Sequence, residues 1–465
     1  MRRLILFAIG LHLSLANDIQ AAPLSVAKPN FLLIFVDNLG YGDLGCYGNP
    51  HVRTPHIDRL ASEGIRCTDF YIASPSCTPS RGAILTGRHP ERTGLNFQLN
   101  PKQNMSGFGL PLEEMILPQY LKPLGYATGA FGKWNLGFGP GARPTERGFD
   151  EFLGHASGNI HYFKHLYHGQ NDMRSGVEAV DLSGQYSTDI FAVAAADFIH
   201  RHKDKPWFVY LPFNAVHFVS GANVTSDEKI EWQVPSKYLA LFGAPPNETD
   251  PKLRFLATLA ALDDAIGRLL KTLEDLQLRE RTFVLLISDN GAFMRPLRGL
   301  EVQSNRPLRE GGVTTYEGGV RVPAIFRWPD KLRPGTCNEM LSSLDVLPTL
   351  VSAAGGALPK NRTVDGKDML RILSGKQKSP HKALHWVWKQ NKDEHWQAMR
   401  KGRWKIVRSS KESAWELYDL KRDIAESHDQ ATSKKSLTQR LAEEFSRWHE
   451  GVLRERGLPI KSDAR

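Results

Sequence analysis

The sequence predicts an α/β fold, with a large mixed sheet flanked by helices on both faces and a smaller C-terminal α+β domain. Three observations support this prediction. Several short runs are apolar at every position, and helical segments separate them. After about Ser374 this alternation gives way to short strand-like segments followed by one amphipathic helix. Continuous apolar runs are typical of strands buried on both faces, and alternation of such strands with helices is typical of α/β proteins.

Four apolar runs predict buried strands, and each run leads to polar residues. The runs and the polar residues beyond them are 31–36 with Asp37 and Asn38, 126–131 with Lys133, 207–213 with His217, and 283–287 with Asp289 and Asn290. In an open α/β sheet, ligands bind beyond the carboxyl ends of the strands. We therefore expect these polar residues to converge at one edge of the sheet, although they are far apart in the sequence.

Helical segments lie between these runs, for example residues 57–63 and 255–276. Toward the end of the chain, strand-like segments at 383–388, 397–407 and 415–420 precede an amphipathic helix. In that helix Ser436 and Gln439 predict a capping box, and one face carries Leu437, Leu441, Phe445 and Trp448. We therefore divide the chain into a main domain, residues 23–375, and a C-terminal domain of antiparallel strands and a helix, residues 376–465.

Composition and the N-terminus bear on where the protein works. Sixty Lys and Arg residues against fifty Asp and Glu residues give a formal net charge of +10, which favours anionic ligands. No basic run is interleaved with aromatics, so we predict no nucleic-acid partner.

Residues 1–22 have the charged start, apolar stretch and small residues of a cleaved signal peptide. That stretch is shorter than the roughly 20 residues that span a membrane. We therefore expect a secreted or periplasmic protein with no stable membrane span.

The most informative segment is residues 77–88, which reads CTPSRGAILTGR. Thr78 suits a helix N-cap, Pro79 suits the first helical position, and Gly87 suits the residue after the last turn. Cys77 would then lie at the N-terminus of a short helix, where free amide groups favour an anion or a lowered thiol pKa. A lone cysteine at such a place would more often be a small buried apolar residue.

The whole segment matches the signature C-x-P-S-R-x-x-x-x-T-G-R. On this ground the chain resembles the formylglycine-dependent sulfatases, arylsulfatase-like enzymes of the alkaline phosphatase superfamily. The resemblance extends over nearly the whole chain after residue 22, through the further segments 29–43, 132–134, 288–291, 314–319 and 416–420. In this family a maturation enzyme oxidises the cysteine to formylglycine, and the hydrated aldehyde is the nucleophile. The resemblance therefore implies that residues 23–375 are the catalytic domain of a sulfuric ester hydrolase.

The resemblance also implies roles for individual residues. Formylglycine made from Cys77 would be the nucleophile, Arg81 would hold it, and Lys133 would contact both the nucleophile and a sulfate oxygen. His217 would lie near the ester oxygen, as a proton donor or hydrogen-bond partner. The implied metal ligands are Asp37, Asn38, Asp289 and Asn290. All four offer hard oxygen donors, which suit Ca²⁺ or Mg²⁺ rather than a metal that prefers thiolate or imidazole. Of these two ions, Ca²⁺ is the expected one.

The chain departs from the family pattern at three positions. The family commonly has an aspartate where this chain has Asn38, a histidine where it has Asn135, and a lysine where it has Gly312. Asn135 can still bind substrate through hydrogen bonds, but it cannot act as an acid or base near neutral pH. Gly312 has no side chain to bind sulfate. Arg309 is the nearby candidate to replace that cation, and a purely structural arginine is the alternative.

Three functions stay open on the sequence alone. The first is an active sulfatase with an altered site, acting on an anionic sulfated substrate. That substrate is a sulfated carbohydrate in the leading interpretation and an aryl sulfate in the other. The second is a secreted, non-catalytic relative that binds sulfated glycans, and the third is a related hydrolase of phosphate esters. Residues 223–250, with Trp232 and Tyr238, are predicted to form a loop over the cleft that selects sugars, or else a surface insertion.

Overall fold

The computed structural model of the chain describes residues 28–219, 231–294, 302–389 and 394–456. The predicted signal peptide, residues 1–22, lies outside this part of the chain, so its cleavage stays a prediction. Within the described ranges, no helix is both long enough and apolar enough to cross a membrane.

Strands and helices alternate through most of the described chain, and four strands and a helix close it. The strands are β1 Asn30–Val36, β2 Ile65–Cys67, β3 Phe70–Tyr71, β4 Ala127–Lys133, β5 Glu151–His155, β6 Leu166–Tyr167, β7 Gln170–Asn171, β8 Met173–Ser175, β9 Glu178–Ala179, β10 Trp207–Pro212, β11 Thr282–Ser288, β12 Ala324–Arg327, β13 Gly335–Cys337, β14 Leu341–Ser342, β15 Leu384–Lys389, β16 His395–Lys401, β17 Trp404–Arg408 and β18 Glu416–Asp419. The α-helices are α1 Pro55–Ser62, α2 Cys77–Thr86, α3 Pro90–Thr93, α4 Pro101–Met105, α5 Leu117–Leu121, α6 Ser187–Arg201, α7 Ser236–Ala240, α8 Pro251–Asp275, α9 Glu317–Val320, α10 Val346–Ala353, α11 Leu370–Leu373 and α12 Lys435–Glu455.

The main sheet has ten strands in the described residues, in the order β13-β2-β12-β11-β1-β10-β4-β5-β8-β9. Its centre is parallel, because β1 pairs in parallel with β10 and β11, and β4 pairs in parallel with β10 and β5. Antiparallel pairs flank this centre, where β12 joins β11 and β8 joins β5. The sheet is therefore mixed, and the predicted fold class is confirmed.

Both faces of this sheet are buried, and the side chains of β1 alternate between two hydrophobic cores. Phe31, Leu33 and Phe35 join the core that α2, α5 and α10 cover, whereas Leu32 and Ile34 join the core beneath α1, α6 and α8. All five side chains are completely buried. Because burial of each such side chain contributes about 1.5–3 kcal/mol, the strand is apolar at every position rather than at alternate ones.

The C-terminal module, residues 384–456, consists of an antiparallel sheet in the order β15-β16-β17-β18 and helix α12. One face of the sheet packs against Leu441 and Phe445 of α12. The other face packs on the main domain, where Trp386 Nε1 donates a hydrogen bond of 2.8 Å to the carbonyl oxygen of Ile72. The predicted C-terminal antiparallel sheet is confirmed, whereas the boundary between residues 375 and 376 stays a prediction.

Two local predictions for this module are wrong. The segment 397–407 is not one strand, because the chain turns at Gly402, which has a φ of 58°. Helix α12 begins at Lys435 with Lys434 as its N-cap, and no side chain caps it. Ser436 is therefore already inside the first turn and forms no capping box. Gln439 instead donates to Glu443 one turn later.

The predicted sugar-selecting loop is also wrong where it can be described, since residues 220–230 lie outside the described ranges. Trp232 and Tyr238 are only 1% and 4% exposed. The Trp232 indole donates to the carbonyl oxygen of Val216, and the Tyr238 hydroxyl donates to Asp264. Both rings belong to the core beneath α8, so neither offers an aromatic face to a substrate.

Candidate active site

Cys77 begins α2, and every residue of this helix is buried. The N-cap is Ser76, not Thr78 as predicted. Gln98 Oε1 accepts hydrogen bonds from the Thr78 amide at 3.1 Å and from the Ser76 hydroxyl at 2.9 Å. A residue outside the helix therefore satisfies one of the free amides of its first turn, which local patterns do not reveal. Gly87 ends the helix in the left-handed conformation, with a φ of 65°, as predicted.

The Cys77 thiol faces the polar residues that follow β1 and β11. Its Sγ lies 3.3 Å from Asp37 Oδ1, 4.0 Å from Asn38 Oδ1 and 3.7 Å from Asn290 Oδ1. Burial raises the pKa of this thiol well above its usual value, and the carboxylates of Asp289 and Asp37 raise it further. The predicted lowering of the thiol pKa is wrong, because burial and the two carboxylates outweigh the opposite effects of Lys133 and Arg81. Unmodified Cys77 is thus a neutral thiol rather than a thiolate nucleophile.

Strand pairing brings these residues together. Val36 at the end of β1 lies opposite Ser288 at the end of β11, so the Asp-Asn pairs that follow emerge side by side. The backbone amide of Asn38 donates to Asp289 Oδ1 at 3.0 Å. Asn38 has a φ of 59°, a left-handed conformation that asparagine tolerates better than most residues. The polar residues therefore converge at the carboxyl edge of the sheet, as expected from the sequence.

Two carboxylates and two cations form a buried cluster beside Cys77. Lys133 Nζ lies 2.6 Å from Asp37 Oδ2, and Arg81 Nη2 lies 2.8 Å from Asp289 Oδ2 and 3.7 Å from Asp37 Oδ2. Burial and the charge of Asp37 raise the pKa of Asp289, although both cations lower it. Buried charges are costly unless they are paired. The formal charges of the four side chains cancel, which lowers the cost of burying them together.

The oxygen atoms near Cys77 suit a hard cation. Asp37 Oδ1, Asn38 Oδ1 and Asn290 Oδ1 all lie within 4.0 Å of Cys77 Sγ, and Asp289 adjoins them. Carboxylate and amide oxygens are the ligands that Ca²⁺ and Mg²⁺ prefer. Asn290 Nδ2 donates a hydrogen bond of 2.6 Å to Asn38 Oδ1, which keeps both amides beside the two carboxylates. The residues present therefore fit the predicted oxygen-coordinated metal.

A different set of ligand atoms is also close together. Asp37, Cys77 and His217 each offer one possible ligand atom, and these three atoms lie within 4.8 Å of one another. Sulfur and imidazole ligands favour softer metals than Ca²⁺. Conversion of Cys77 to formylglycine would remove the sulfur from this set and leave the oxygen ligands in place.

His217 lines the same pocket as Cys77 and Lys133. Its Nδ1 lies 2.5 Å from the carbonyl oxygen of Phe218, so Nδ1 carries the proton and Nε2 of the neutral ring is an acceptor. Burial, with a smaller effect of Lys133, lowers the pKa of His217 to about 3. A bound anion would raise this pKa. Donation of a proton to the leaving oxygen therefore stays a prediction that depends on bound substrate.

Asn135 is completely buried, and neither polar atom of its amide has a partner in the described residues. It has a φ of 50°. Asn135 is not among the residues that line the pocket, but its Oδ1 lies 4.0 Å from the point where a Cβ of the lining residue Gly158 would be. The predicted contact of Asn135 with the substrate stays a prediction.

Arg309 lies away from the pocket and contacts the C-terminal module. Its Nη1 donates to the Tyr418 hydroxyl and to the carbonyl oxygen of Glu426, both at 2.9 Å. The guanidinium also lies 3.9 Å from the centre of the Tyr316 ring. In this conformation these contacts fit the alternative of a structural arginine, and replacement of the missing sulfate-binding lysine by Arg309 stays a prediction.

The position of the missing lysine adjoins the site, but it is crowded. A Cβ at Gly312 would come 2.9 Å from the carbonyl oxygen of Gly291 and 3.2 Å from Asn290 Nδ2. The backbone would have to shift before any side chain could be accommodated. Glycine at this position is therefore consistent with the local packing, and no other described residue takes the place of the lysine in the pocket lining.

A pocket of about 280 Å³ opens beside Cys77. The predicted site residues that line it are Asn38, Cys77, Lys133, His217 and Asn290. Polar and aromatic residues that the sequence did not identify also line it, namely Ser76, Gln98, Asn159, Tyr167, Phe293 and Trp388. None of these additional residues belongs to a local motif. Only the tertiary fold shows that β15 of the C-terminal module reaches the pocket.

Comparisons with known proteins agree with this geometry. The sulfatase family model matches residues 29–357, and a model described as N-sulphoglucosamine sulphohydrolase, C-terminal, matches residues 313–450. Arylsulfatase A of Homo sapiens is 38% identical over 388 residues, which cover 78% of this chain and 71% of the relative. N-acetylgalactosamine-6-sulfatase of Canis lupus familiaris is 34% identical over 379 residues, which cover 75% of this chain and 66% of the relative.

Solved structures show the same relationship over nearly the whole chain. The crystal structure of Ps i-CgsB in complex with k-i-k-neocarrahexaose has a TM-score of 0.80 at 30% identity, and covers 91% of this chain and 93% of its own. The family model alone spans well over half of the sequence, and it includes Cys77 and the residues around it. The chain therefore belongs to the sulfatase family of sulfuric ester hydrolases.

Proposed function

We propose that this chain hydrolyses a sulfate ester on a sulfated carbohydrate, with formylglycine made from Cys77 as the nucleophile and a divalent metal, Ca²⁺ in preference to Mg²⁺. The observation that carries the proposal is the cluster of Cys77 with hard oxygen donors and Lys133 at one edge of the sheet. Charge supports an anionic substrate, since the chain carries a formal +10.

Two similar proteins support a carbohydrate substrate. The name of one relative refers to N-acetylgalactosamine-6-sulfatase, and one solved structure contains a neocarrahexaose. Secretion or transport to the periplasm would bring the enzyme to such extracellular glycans, and we propose that residues 1–22 direct it there.

The proposed chemistry uses each group of the cluster once. The hydrated aldehyde would supply one hydroxyl to attack sulfur and a second hydroxyl whose deprotonation releases sulfate. Lys133 would place its ammonium against a sulfuryl oxygen, where charge increases in the transition state. His217 would lie beside the ester oxygen and assist departure of the alcohol. Arg81, paired with Asp289, would fix the orientation of the nucleophile.

A divalent cation would be held by Asp37, Asn38, Asp289 and Asn290 and would polarise a sulfuryl oxygen as a Lewis acid. Without it, the two carboxylates balance Arg81 and Lys133. With it, the cluster would carry a net charge of about +2, which attracts a sulfate ester in a site of low dielectric. The neutral Asn38 makes this excess one unit larger than an aspartate would.

Maturation must precede packing. Every residue of α2 is buried, and Cys77 is only 8% exposed. We infer that the formylglycine-generating maturation enzyme acts on this segment before the helix packs.

Hydrolase assays test the proposed function. Chain produced together with a maturation enzyme is expected to contain formylglycine at position 77 by peptide mass spectrometry, and to release sulfate from an aryl sulfate and a sulfated saccharide. Turnover of an aryl phosphate alone would favour a phosphate-ester hydrolase. Binding of the saccharide without turnover, despite complete conversion of Cys77, would favour the non-catalytic relative.

Metal affinity gives a second test. Asp289→Ala is expected to weaken Ca²⁺ binding at least about tenfold more than Asn38→Ala, because it deletes a charged ligand rather than a neutral one. Isothermal titration of the metal-free chains with Ca²⁺ measures this difference. Asp289 also pairs with Arg81 at 2.8 Å, so thermal unfolding of each variant is the control for a general loss of structure. Equal affinity in the wild type and both variants would contradict this ligand set.

A further inference from the structure

We propose that Trp388, in the C-terminal module, recognises the sugar ring that carries the sulfate. The proposal rests on the proposed function and extends it, because it assigns the sulfate group to the main domain and the alcohol group of the substrate to the C-terminal module. It also names the ligand as a neutral sugar ring with one sulfate, rather than an acidic sugar.

The position of Trp388 is the first observation. It is the penultimate residue of β15, yet it lines the same pocket as Cys77, Lys133 and His217. Its side chain is only 1% exposed, so the ring forms part of a wall and is not a loose surface group. A rigid aromatic side chain beside a reactive centre can limit the orientation of a ring-shaped ligand.

The indole nitrogen is the second observation. Trp388 Nε1 is buried and has no hydrogen-bond partner in the described part of the chain. Buried indole N–H groups normally have a partner. Trp207 Nε1 and Trp396 Nε1 also lack one in the described residues, but of the three only Trp388 lines the pocket, where a ligand could supply the acceptor. By contrast, Trp386 on the same strand donates to the carbonyl oxygen of Ile72. A substrate hydroxyl in the pocket would satisfy the Trp388 donor in the same way.

The rest of the pocket has matching chemistry. Gln98 uses its Oε1 to cap α2, which leaves Nε2 to donate elsewhere. That nitrogen and the Tyr167 hydroxyl lie 3.7 Å and 3.6 Å from the point where a Cβ of Gly158 would be, and glycine leaves this space open. Aromatic rings and neutral hydrogen-bonding groups thus surround the pocket away from Cys77.

Charge decides between sugar classes. Among the described lining residues, Lys133 is the one side chain with a permanent charge, and it is paired with Asp37 at the sulfate end of the pocket. Within the described lining, a carboxylate or second sulfate on the same ring would have to leave water without a further cation to receive it, which is costly. The described part of the pocket is therefore suited to a neutral ring.

The chain offers a matched control for this proposal. Trp396 lies directly opposite Trp388 in the pairing of β15 with β16, and its indole nitrogen also lacks a partner in the described residues. Its ring packs edge-on against Tyr316 and does not line the pocket. The two tryptophans thus pair with each other in the sheet. Trp388 is buried and lines the pocket, whereas Trp396 is half-buried and does not.

The test compares Trp388→Phe with Trp396→Phe in the full-length, formylglycine-containing chain with Ca²⁺. Phenylalanine keeps an aromatic ring and removes the N–H donor. We expect Trp388→Phe to lower kcat/KM for galactose sulfate by about tenfold and for nitrophenyl sulfate by less than about twofold, because the nitrophenyl ring has no hydroxyl to accept a hydrogen bond from the indole N–H. Trp396→Phe should change neither value by more than about twofold.

A binding measurement keeps this test separate from catalysis. In the Cys77→Ala background, Trp388→Phe should weaken calorimetric binding of galactose sulfate by a similar factor and leave binding of inorganic sulfate unchanged. If that difference is seen although the unmutated chain shows no turnover, the recognition site stands and the proposed function fails. Equal losses for both ligands, or no loss for galactose sulfate, would overturn the role of Trp388.

Discussion

Replacement of Cys77 by alanine is expected to abolish sulfate-ester hydrolysis, with a loss in kcat of about ten-thousandfold or more, as when other enzymes lose their nucleophile. Alanine has no sulfur that a maturation enzyme can oxidise, so no aldehyde forms. The thiol lies 3.3 Å from Asp37 Oδ1 and 3.7 Å from Asn290 Oδ1, within the cluster where the proposed chemistry takes place. Steady-state release of sulfate from nitrophenyl sulfate measures this loss.

Cys46→Ala is the matched control for this variant. Cys46 is a half-buried cysteine whose thiol lies beside Asp58 and outside the pocket. Its replacement should leave turnover within about twofold of the unmutated chain. Thermal unfolding of both variants should show that each is folded. Full activity of Cys77→Ala would contradict the formylglycine mechanism, because no other group in the proposal can form the aldehyde.

The fold could be predicted from the sequence where burial alone determines the pattern. Residues 31–36 and 283–287 are apolar at every position because both faces of the sheet are covered, so the pattern identifies strands β1 and β11 with little ambiguity. Parallel pairing then requires Asp37 and Asp289 to emerge at the same edge. The convergence at one edge could be predicted from the α/β pattern, whereas the adjacency of β1 and β11 is known only from the structure.

Features that depend on distant partners could not be predicted. Gln98 caps α2 from outside the helix, and Arg309 is held by Tyr418 and Glu426 of the C-terminal module. In both cases a local pattern allows several outcomes, and tertiary packing selects one. The same applies to the thiol of Cys77, whose pKa depends on burial and on carboxylates from two other strands rather than on its place at a helix start.

Removal of the Lys133 ammonium is expected to cause the second largest loss of activity. Among the described residues that line the pocket, Lys133 is the one with a permanent charge, and no lysine is present at Gly312 to share its role. Lys133→Ala should therefore lower kcat by on the order of a hundredfold or more, as expected when one preorganised charge stabiliser is lost.

Part of that effect would come from Asp37. Lys133 Nζ lies 2.6 Å from Asp37 Oδ2, and both side chains are buried. Breaking a buried ion pair by deleting one partner costs about 3–5 kcal/mol of stability, because the other charge is left uncompensated. The kinetic assay therefore includes a second variant, Lys133→Met, which keeps the aliphatic part of the side chain. Thermal unfolding of both variants is measured with and without Ca²⁺. A bound cation should recover stability by neutralising Asp37, but it should not recover turnover.

Comparison of Arg309→Ala with Lys133→Ala shows which of the two side chains binds the sulfate group. The Arg309 guanidinium is engaged with Tyr418 and Glu426, so its loss should leave kcat for nitrophenyl sulfate within about twofold while it lowers the melting temperature. Lys133→Ala should show the opposite balance, with a large loss in kcat and a weaker affinity for inorganic sulfate. If Lys133→Ala keeps its turnover and Arg309→Ala loses it, the sulfate-binding cation is Arg309. In that case the conformation that binds substrate must differ from the one described above, because Arg309 would have to leave the C-terminal module and reach the pocket beside Gly312.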